Sequence, residues 1–121
     1  MKIGFIGLGN VGGKLAGSLL RNKFDLTVRD LDKKLTNDFK NKGAKVVNNA
    51  KELAEQADLI ITCLPSPEIC AEVMESDDGV INGLSKNKIW LKWNRNSGMR
   101  FLKNLVNVSG MISVLTLTMM L

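Results

Sequence analysis

The chain has 121 residues, 45% of them hydrophobic, and a formal net charge of +5. This composition predicts one globular domain and excludes a disordered or fibrous chain. It contains two cysteines and no histidine, which speaks against a disulfide framework and a histidine-based site. No apolar run is long enough to span a membrane. We therefore expect a reduced, cytoplasmic protein with no metal site and no membrane span.

The positive charge is confined to the last third of the chain. Residues 1–78 carry 11 Lys and Arg against all 12 acids, whereas residues 79–121 carry six Lys and Arg and no acid. Those basic residues are dispersed, and Phe101 with two tryptophans nearby does not make them a patch. We therefore expect no nucleic-acid partner.

The first elements predict a strand, a glycine turn and a helix. The apolar run Ile3–Ile6 precedes the glycines, and Val11, Leu15 and Leu19 follow at helical spacing. A glycine-rich turn between strand and helix lets the backbone approach a pyrophosphate, which the partial positive charge of the helix N-terminus attracts. The predicted dinucleotide-binding residues are Gly7, Leu8, Gly9, Asn10, Val11 and Gly12.

An acidic residue follows the next predicted strand, Asp25–Arg29. Asp30 stands at the distance from the glycines at which a carboxylate binds the adenosine ribose. Such a carboxylate repels a 2′-phosphate and favours NAD as the cofactor. The neighbouring Arg29, Lys33 and Lys34 leave NADP open, because any of them could meet a phosphate.

The middle of the chain alternates helix and strand. A helix with Leu35 and Phe39 inward ends at Gly43, and a short strand covers Lys45–Val47. The next helix, Ala50–Gln56, begins after Asn49.

The apolar run Asp58–Leu64 is the clearest strand and predicts a strand covered on both faces. Ser66 and Pro67 suit the start of a helix whose buried stripe is Ile69, Val73 and Met74. A turn at Asp77–Gly79 and a fifth strand at Ile89–Leu91 follow.

This alternation predicts an α/β fold, a doubly wound parallel sheet with helices on both faces, formed by a single incomplete domain. Ligands bind such sheets at the carboxyl ends of the strands. Three segments should meet at that edge: Gly7–Gly12, Asp30, and Leu64 with Pro65 and Ser66.

Several segments resemble the 3-hydroxyisobutyrate dehydrogenases, which belong to the β-hydroxyacid dehydrogenases and are related to 6-phosphogluconate dehydrogenase. The segments that carry the resemblance are Phe5–Gly12, Val28–Asp32, Cys63–Pro67 and Gly79–Leu84. The resemblance covers roughly residues 1–91 and implies a Rossmann domain. It implies that the glycine loop holds the pyrophosphate, that Asp30 holds the ribose, and that Leu64 with Pro65 contacts NAD.

The resemblance also implies a function for a full-length parent, which would oxidise a small 3-hydroxy acid such as 3-hydroxyisobutyrate by hydride transfer to NAD. Where the family has an Asp-x-Ser-Thr motif, this chain reads Lys92-Trp93-Asn94-Arg95. The family's Ser-Gly-Gly loop and its helical domain with a catalytic lysine and asparagine are not among the 121 residues. We therefore assign no catalytic residue, expect this chain alone to be inactive, and expect a homo-oligomer only with that further domain.

A non-catalytic dinucleotide-binding or interaction module is the alternative to the dehydrogenase interpretation. The atypical segment 92–121 bears on this choice and has three explanations. The first explanation is that this segment is a frameshift product. We favour it because the composition changes where the resemblance stops. Otherwise it forms a helix with Met99, Leu102, Leu105 and Val106 inward and a strand at Ser113–Leu117, or it is a basic, apolar tail that binds a membrane surface or another chain.

Overall fold

A computed structural model describes residues 1–85, 87–94 and 113–118, the last seven of these by their backbone. The elements are β1 (Lys2–Ile6), α1 (Asn10–Arg21), β2 (Asp25–Arg29), α2 (Lys33–Asn41), β3 (Lys45–Val46), α3 (Ala50–Gln56), β4 (Leu59–Cys63), α4 (Pro67–Glu75), a 3-10 turn (Val80–Gly83), β5 (Ile89–Asn94) and β6 (Ser113–Thr118). No helix in these parts of the chain is both long and apolar enough to cross a membrane.

The strands form one sheet in the order β3-β2-β1-β4-β5-β6, and every neighbouring pair is parallel. Ile3 of β1 lies between Leu26 of β2 and Leu59 of β4. The chain runs outwards from β1 to β3 and then returns to β4, so the strand order reverses between β1 and β4. The predicted doubly wound α/β fold is confirmed, and its switch point lies where β1 ends.

Two apolar layers enclose the sheet. On one face Leu53 of α3, Met74 of α4 and Trp90 of β5 are fully buried, and on the other α1 and α2 cover Phe5 and Val28. A parallel sheet needs this cover on both faces, because its central strands carry apolar side chains on each face. The apolar run of β4 follows from that position.

Helix starts follow their local signals closely. Asn49 caps α3 by accepting the Glu52 N–H at 2.8 Å, and Ser66 caps α4 by accepting the Ile69 N–H at 3.2 Å. Both residues are the caps that the sequence predicts. Their short side chains satisfy N–H groups that have no partner inside the helix.

The predicted buried stripe of α4 is wrong at Ile69, whose exposed fraction is 39%. The helix instead buries Cys70 and Met74, with Val73 partly buried against the same layer. Residues 70 and 74 are one helical turn apart and share a face. Ile69 lies on the neighbouring face, at the rim of the cavity described below.

The last described strand belongs to the atypical segment. β6 pairs with β5 in parallel, with Leu91 opposite Leu115 and Trp93 opposite Leu117. The strand predicted over Ser113–Leu117 is therefore present, whereas the predicted helical face from Met99 to Val106 lies outside the described residues. The division of the chain at residue 91 stays a prediction.

Leu53 provides a test of the packing between α3 and the sheet. It is 0% exposed and packs over Gly4, where a Cβ would overlap its side chain. We expect Leu53→Ala to lower the free energy of unfolding by about 2–5 kcal/mol in urea titrations, because the deletion leaves a cavity. Leu31→Ala is the control: its side chain is 87% exposed, and the expected change is within about 0.5 kcal/mol. Equal effects would contradict the assignment of Leu53 to the core.

Candidate functional site

The loop between β1 and α1 brings three backbone segments into close contact. Gly7 has φ +99°, and a Cβ there would overlap the carbonyl oxygen of Cys63 at the end of β4. A Cβ on Gly12 would overlap the Gly7 carbonyl oxygen. Around Gly9, by contrast, a Cβ would meet no atom within 4 Å. Gly7 and Gly12 thus allow the chain to pack on itself, while Gly9 faces open space.

The N-terminus of α1 differs from those of the other described α-helices. Side chains of Asp32, Asn49 and Ser66 cap α2, α3 and α4, whereas Gly9 precedes α1 and supplies no side-chain cap. The first N–H groups of a helix have no acceptor within the helix, and its dipole places positive charge there. The start of α1 therefore presents donors and positive potential suited to an anion.

Asp30 connects the end of β2 to this loop. Its Oδ2 accepts the Leu8 N–H at 2.7 Å, and its Oδ1 accepts the Asp32 N–H at 2.8 Å. The Gly7 N–H donates to the Arg29 carbonyl at 3.1 Å beside it. The carboxylate thus holds the first half of the glycine loop in place, and each of its oxygens keeps a lone pair for a further donor.

The cations near Asp30 are placed differently from one another. The Arg29 Nη1 donates to the Asp30 carbonyl oxygen at 2.6 Å, which holds this guanidinium at the end of β2. Lys33 and Lys34 lie in the exposed first turn of α2 and do not line the cavity next to Asp30. The carboxylate therefore faces the cavity with one cation beside it.

These groups border a cavity of about 850 Å³ at the carboxyl edge of the sheet. It extends from the ends of β2 and β4 along α4 and reaches Trp93 at the end of β5. The site residues predicted from the sequence that line it are Gly7, Gly9, Asn10, Val11, Gly12, Asp30, Leu64 and Pro65. Residues of all three segments expected at this edge line the cavity, although Ser66 of the third segment is not among them.

A family model described as the NAD binding domain of 6-phosphogluconate dehydrogenase matches residues 2–99. The chain belongs to this NAD-binding domain family. Among curated relatives, it is 36% identical over 87 residues to the mouse (Mus musculus) mitochondrial 3-hydroxyisobutyrate dehydrogenase, covering 72% of this chain and 26% of that protein. The chain spans roughly a quarter to a third of the length of the first curated relatives it matches.

Solved structures share the fold of this NAD-binding domain. An imine reductase from Myxococcus stipitatus in complex with NADP+ has a TM-score of 0.84 at 18% identity, covering 96% of this chain and 40% of that one. The V8 variant of that enzyme, in complex with NAD+, has a TM-score of 0.83 at 18% identity, covering 95% of this chain and 39% of that one. At such low identity the likeness establishes the fold alone.

One predicted site residue of the NAD-binding domain lies outside the cavity lining. The Leu8 side chain is 2% exposed and packs in the layer under α1 and α2. Only its backbone N–H is directed to the site, and that donor is bound by Asp30. A contact of this kind joins residues 22 positions apart, which no local pattern reveals.

The cavity residues of the NAD-binding domain that were not assigned to the site from sequence include Asp32, Cys63 and Trp93. Asp32 follows Asp30 by two positions, so the sequence alone could have indicated it as a site residue. Cys63 and Trp93 are register partners on β4 and β5, so their proximity depends on strand pairing. Burial raises the pKa of the Cys63 thiol, which keeps it protonated and weakly nucleophilic at neutral pH.

The glycines of the loop separate packing from ligand access. We expect Gly12→Ala to lower the free energy of unfolding by about 1–3 kcal/mol, because the new methyl group forces α1 away from β1. Gly9→Ala should change it by no more than about 0.5 kcal/mol, since the methyl group enters open space. Urea unfolding without ligand measures both. A Gly9→Ala variant as unstable as Gly12→Ala would contradict this geometry.

Proposed function

We propose that this chain binds NAD in the cavity at the carboxyl edge of the sheet. The observation that carries the proposal is the uncapped N-terminus of α1, which opens into the same cavity as the Asp30 carboxylate. The start of α1 would receive the diphosphate at Gly9, where open space lets the phosphate reach the backbone. Asp30 would accept hydrogen bonds from the ribose hydroxyls of the adenosine.

The glycine loop has a fixed geometry before the ligand binds. The loop is already fixed by the Leu8–Asp30 and Gly7–Arg29 hydrogen bonds, so binding costs little ordering of the chain. Leu64 and Pro65, which follow β4, would contact the remaining part of the dinucleotide. When bound, the nicotinamide supplies a hydride acceptor, and the protein's part is to hold and orient it.

For a full-length parent we propose oxidation of a small 3-hydroxy acid by hydride transfer to NAD. The mouse relative named above as a 3-hydroxyisobutyrate dehydrogenase supports this substrate class. The cytoplasmic setting, the absence of a nucleic-acid partner and the dependence of oligomers on a further domain stay predictions. Free thiols at Cys63 and Cys70 agree with a reducing compartment.

The domain division also stays a proposal: a dinucleotide-binding part over residues 1–91 and an atypical segment over 92–121. Where the resemblance implies an Asp-x-Ser-Thr motif, β5 of this chain carries Lys92 and Trp93. Lys92 is buried and Trp93 lines the cavity. This difference favours, as the second candidate, a module that binds the dinucleotide without catalysis.

Binding is tested by calorimetric titration of the purified chain with NAD+. We expect Gly9→Ala to raise Kd at least about tenfold, a cost of about 1.4 kcal/mol, because the methyl group occupies the diphosphate position. Gly17→Ala is the matched control: it is the same change on α1, and a Cβ there makes only ordinary contact with Arg21. Unchanged affinity in Gly9→Ala, or equal losses in both variants, would contradict the proposed site.

Catalysis is tested separately with the same preparation. With saturating NAD+ and 3-hydroxyisobutyrate we expect no NADH absorbance to develop, although NAD+ binds, because we assign no catalytic residue among the 121 residues. Formation of NADH above the rate of a heat-denatured sample would show that the chain contains catalytic groups and would refute this expectation.

A further inference from the structure

Two carboxylates, not one, border the cavity where β2 ends. Asp30 and Asp32 both line it, and the Asp32 N–H donates to Asp30 Oδ1 at 2.8 Å. This hydrogen bond holds both residues in one turn at the start of α2. A ribose bound at Asp30 would therefore have both carboxylates near its 2′ position, well within the distance over which charges interact in salt.

Two backbone donors that could receive a phosphate at this position are already occupied by carboxylates. α2 begins here, and a helix N-terminus ordinarily attracts anions. The Asp32 carboxylate accepts the Lys34 N–H at 2.9 Å, and the Asp32 N–H is bound to Asp30. The chain's own carboxylates thus accept from two donors that a 2′-phosphate would otherwise meet.

The charges that line the cavity also disfavour a 2′-phosphate. Among the described residues that line it, the ionisable groups other than the Cys63 thiol are one guanidinium, from Arg29, and four carboxylates: Asp30, Asp32, Glu72 and Asp78. The Arg29 guanidinium is bound to the Asp30 carbonyl oxygen. A 2′-phosphate would add up to two negative charges beside the pair at the end of β2.

We propose that Asp32 is a second specificity-determining residue, whose carboxylate acts with Asp30 to exclude the 2′-phosphate, so that the domain selects NAD over NADP. This inference rests on the proposed function, because it requires the adenosine ribose to bind at Asp30. Asp32 also caps α2, so its charge must be removed without loss of the cap. Asn caps a helix as well as Asp does.

The experiment compares NAD+ and NADP+, which differ only in the 2′-phosphate, by calorimetry on the 121-residue chain. We expect the wild type to bind NAD+ more tightly. Asp32→Asn should reduce the ratio of the Kd for NADP+ to the Kd for NAD+ about three- to tenfold, which is the effect of removing one charge near a phosphate in a solvated site. Its Kd for NAD+ should stay within about twofold of the wild-type value, because the cap and Asp30 remain.

Asp38→Asn is the matched control. It removes the same charge from an exposed position on α2 that does not line the cavity, and we expect the ratio to stay at its wild-type value. The wild-type ratio should also fall as salt is raised, since salt screens exposed charges.

Three results would overturn the inference. One is an unchanged ratio in Asp32→Asn, and another is an equal change in Asp32→Asn and Asp38→Asn. The third is a wild type that binds NADP+ as tightly as NAD+, which would mean that Lys33 and Lys34 attract the phosphate. In all three cases NAD+ still binds and the proposed function stands, whereas a chain that binds neither dinucleotide refutes both.

Discussion

The site depends on one close contact among backbone segments. Only glycine at positions 7 and 12 lets the end of β1, the first turn of α1 and the carbonyl of Cys63 at the end of β4 approach as they do. Any side chain would push the helix off the sheet and move its N-terminus from the point where the strand order reverses. The packing of the protein and the position of the groups proposed to bind the diphosphate are therefore set by the same two residues.

Asp30 adds a second constraint to the first. Hydrogen bonds from backbone N–H groups to a carboxylate are short and strong, and two of them join the end of β2 to Leu8 and Asp32. The same carboxylate is thus a structural acceptor and the proposed ribose acceptor. Because the protein already occupies one lone pair on each oxygen, the loop keeps its shape before a ligand is present.

Most of the fold could be predicted from the sequence because its signals are local. The caps Asn49 and Ser66, Pro67 at the start of α4 and the positive φ of Gly43 each depend on a few neighbouring residues. The error at Ile69 has a different origin: apolar spacing shows that a helix has a buried face, but the core decides which residues form it. Here Cys70 and Met74 are the residues that join the buried cluster containing Leu53 of α3 and Trp90 of β5.

The site could be predicted in part for the same reason. The glycine pattern and Asp30 are sequence motifs, and they lie together at one edge of the sheet. The bond between Leu8 and Asp30 and the presence of Trp93 in the cavity depend on which strands pair and in what register. Without that register the sequence gives the motif residues of the site, and neither Trp93 nor the contact between Leu8 and Asp30 follows from it.

The two ends of the cavity are therefore formed by different parts of the chain. The groups proposed for the diphosphate and the adenosine ribose come from β1, α1 and the end of β2. The hydrogen bond from Leu8 to Asp30 joins them, and Gly7 packs against the Cys63 carbonyl oxygen at the end of β4. We expect the difference from the resembled dehydrogenases to begin on β5, at Lys92 and Trp93, and this strand lies on the other side of β4 from β1. The Leu8–Asp30 and Gly7–Arg29 hydrogen bonds join the glycine loop to the end of β2, and β1 and β4 lie between β2 and β5 in the sheet. The groups proposed to hold the diphosphate and the ribose are in this way separated, within the sheet, from the residues at the end of β5.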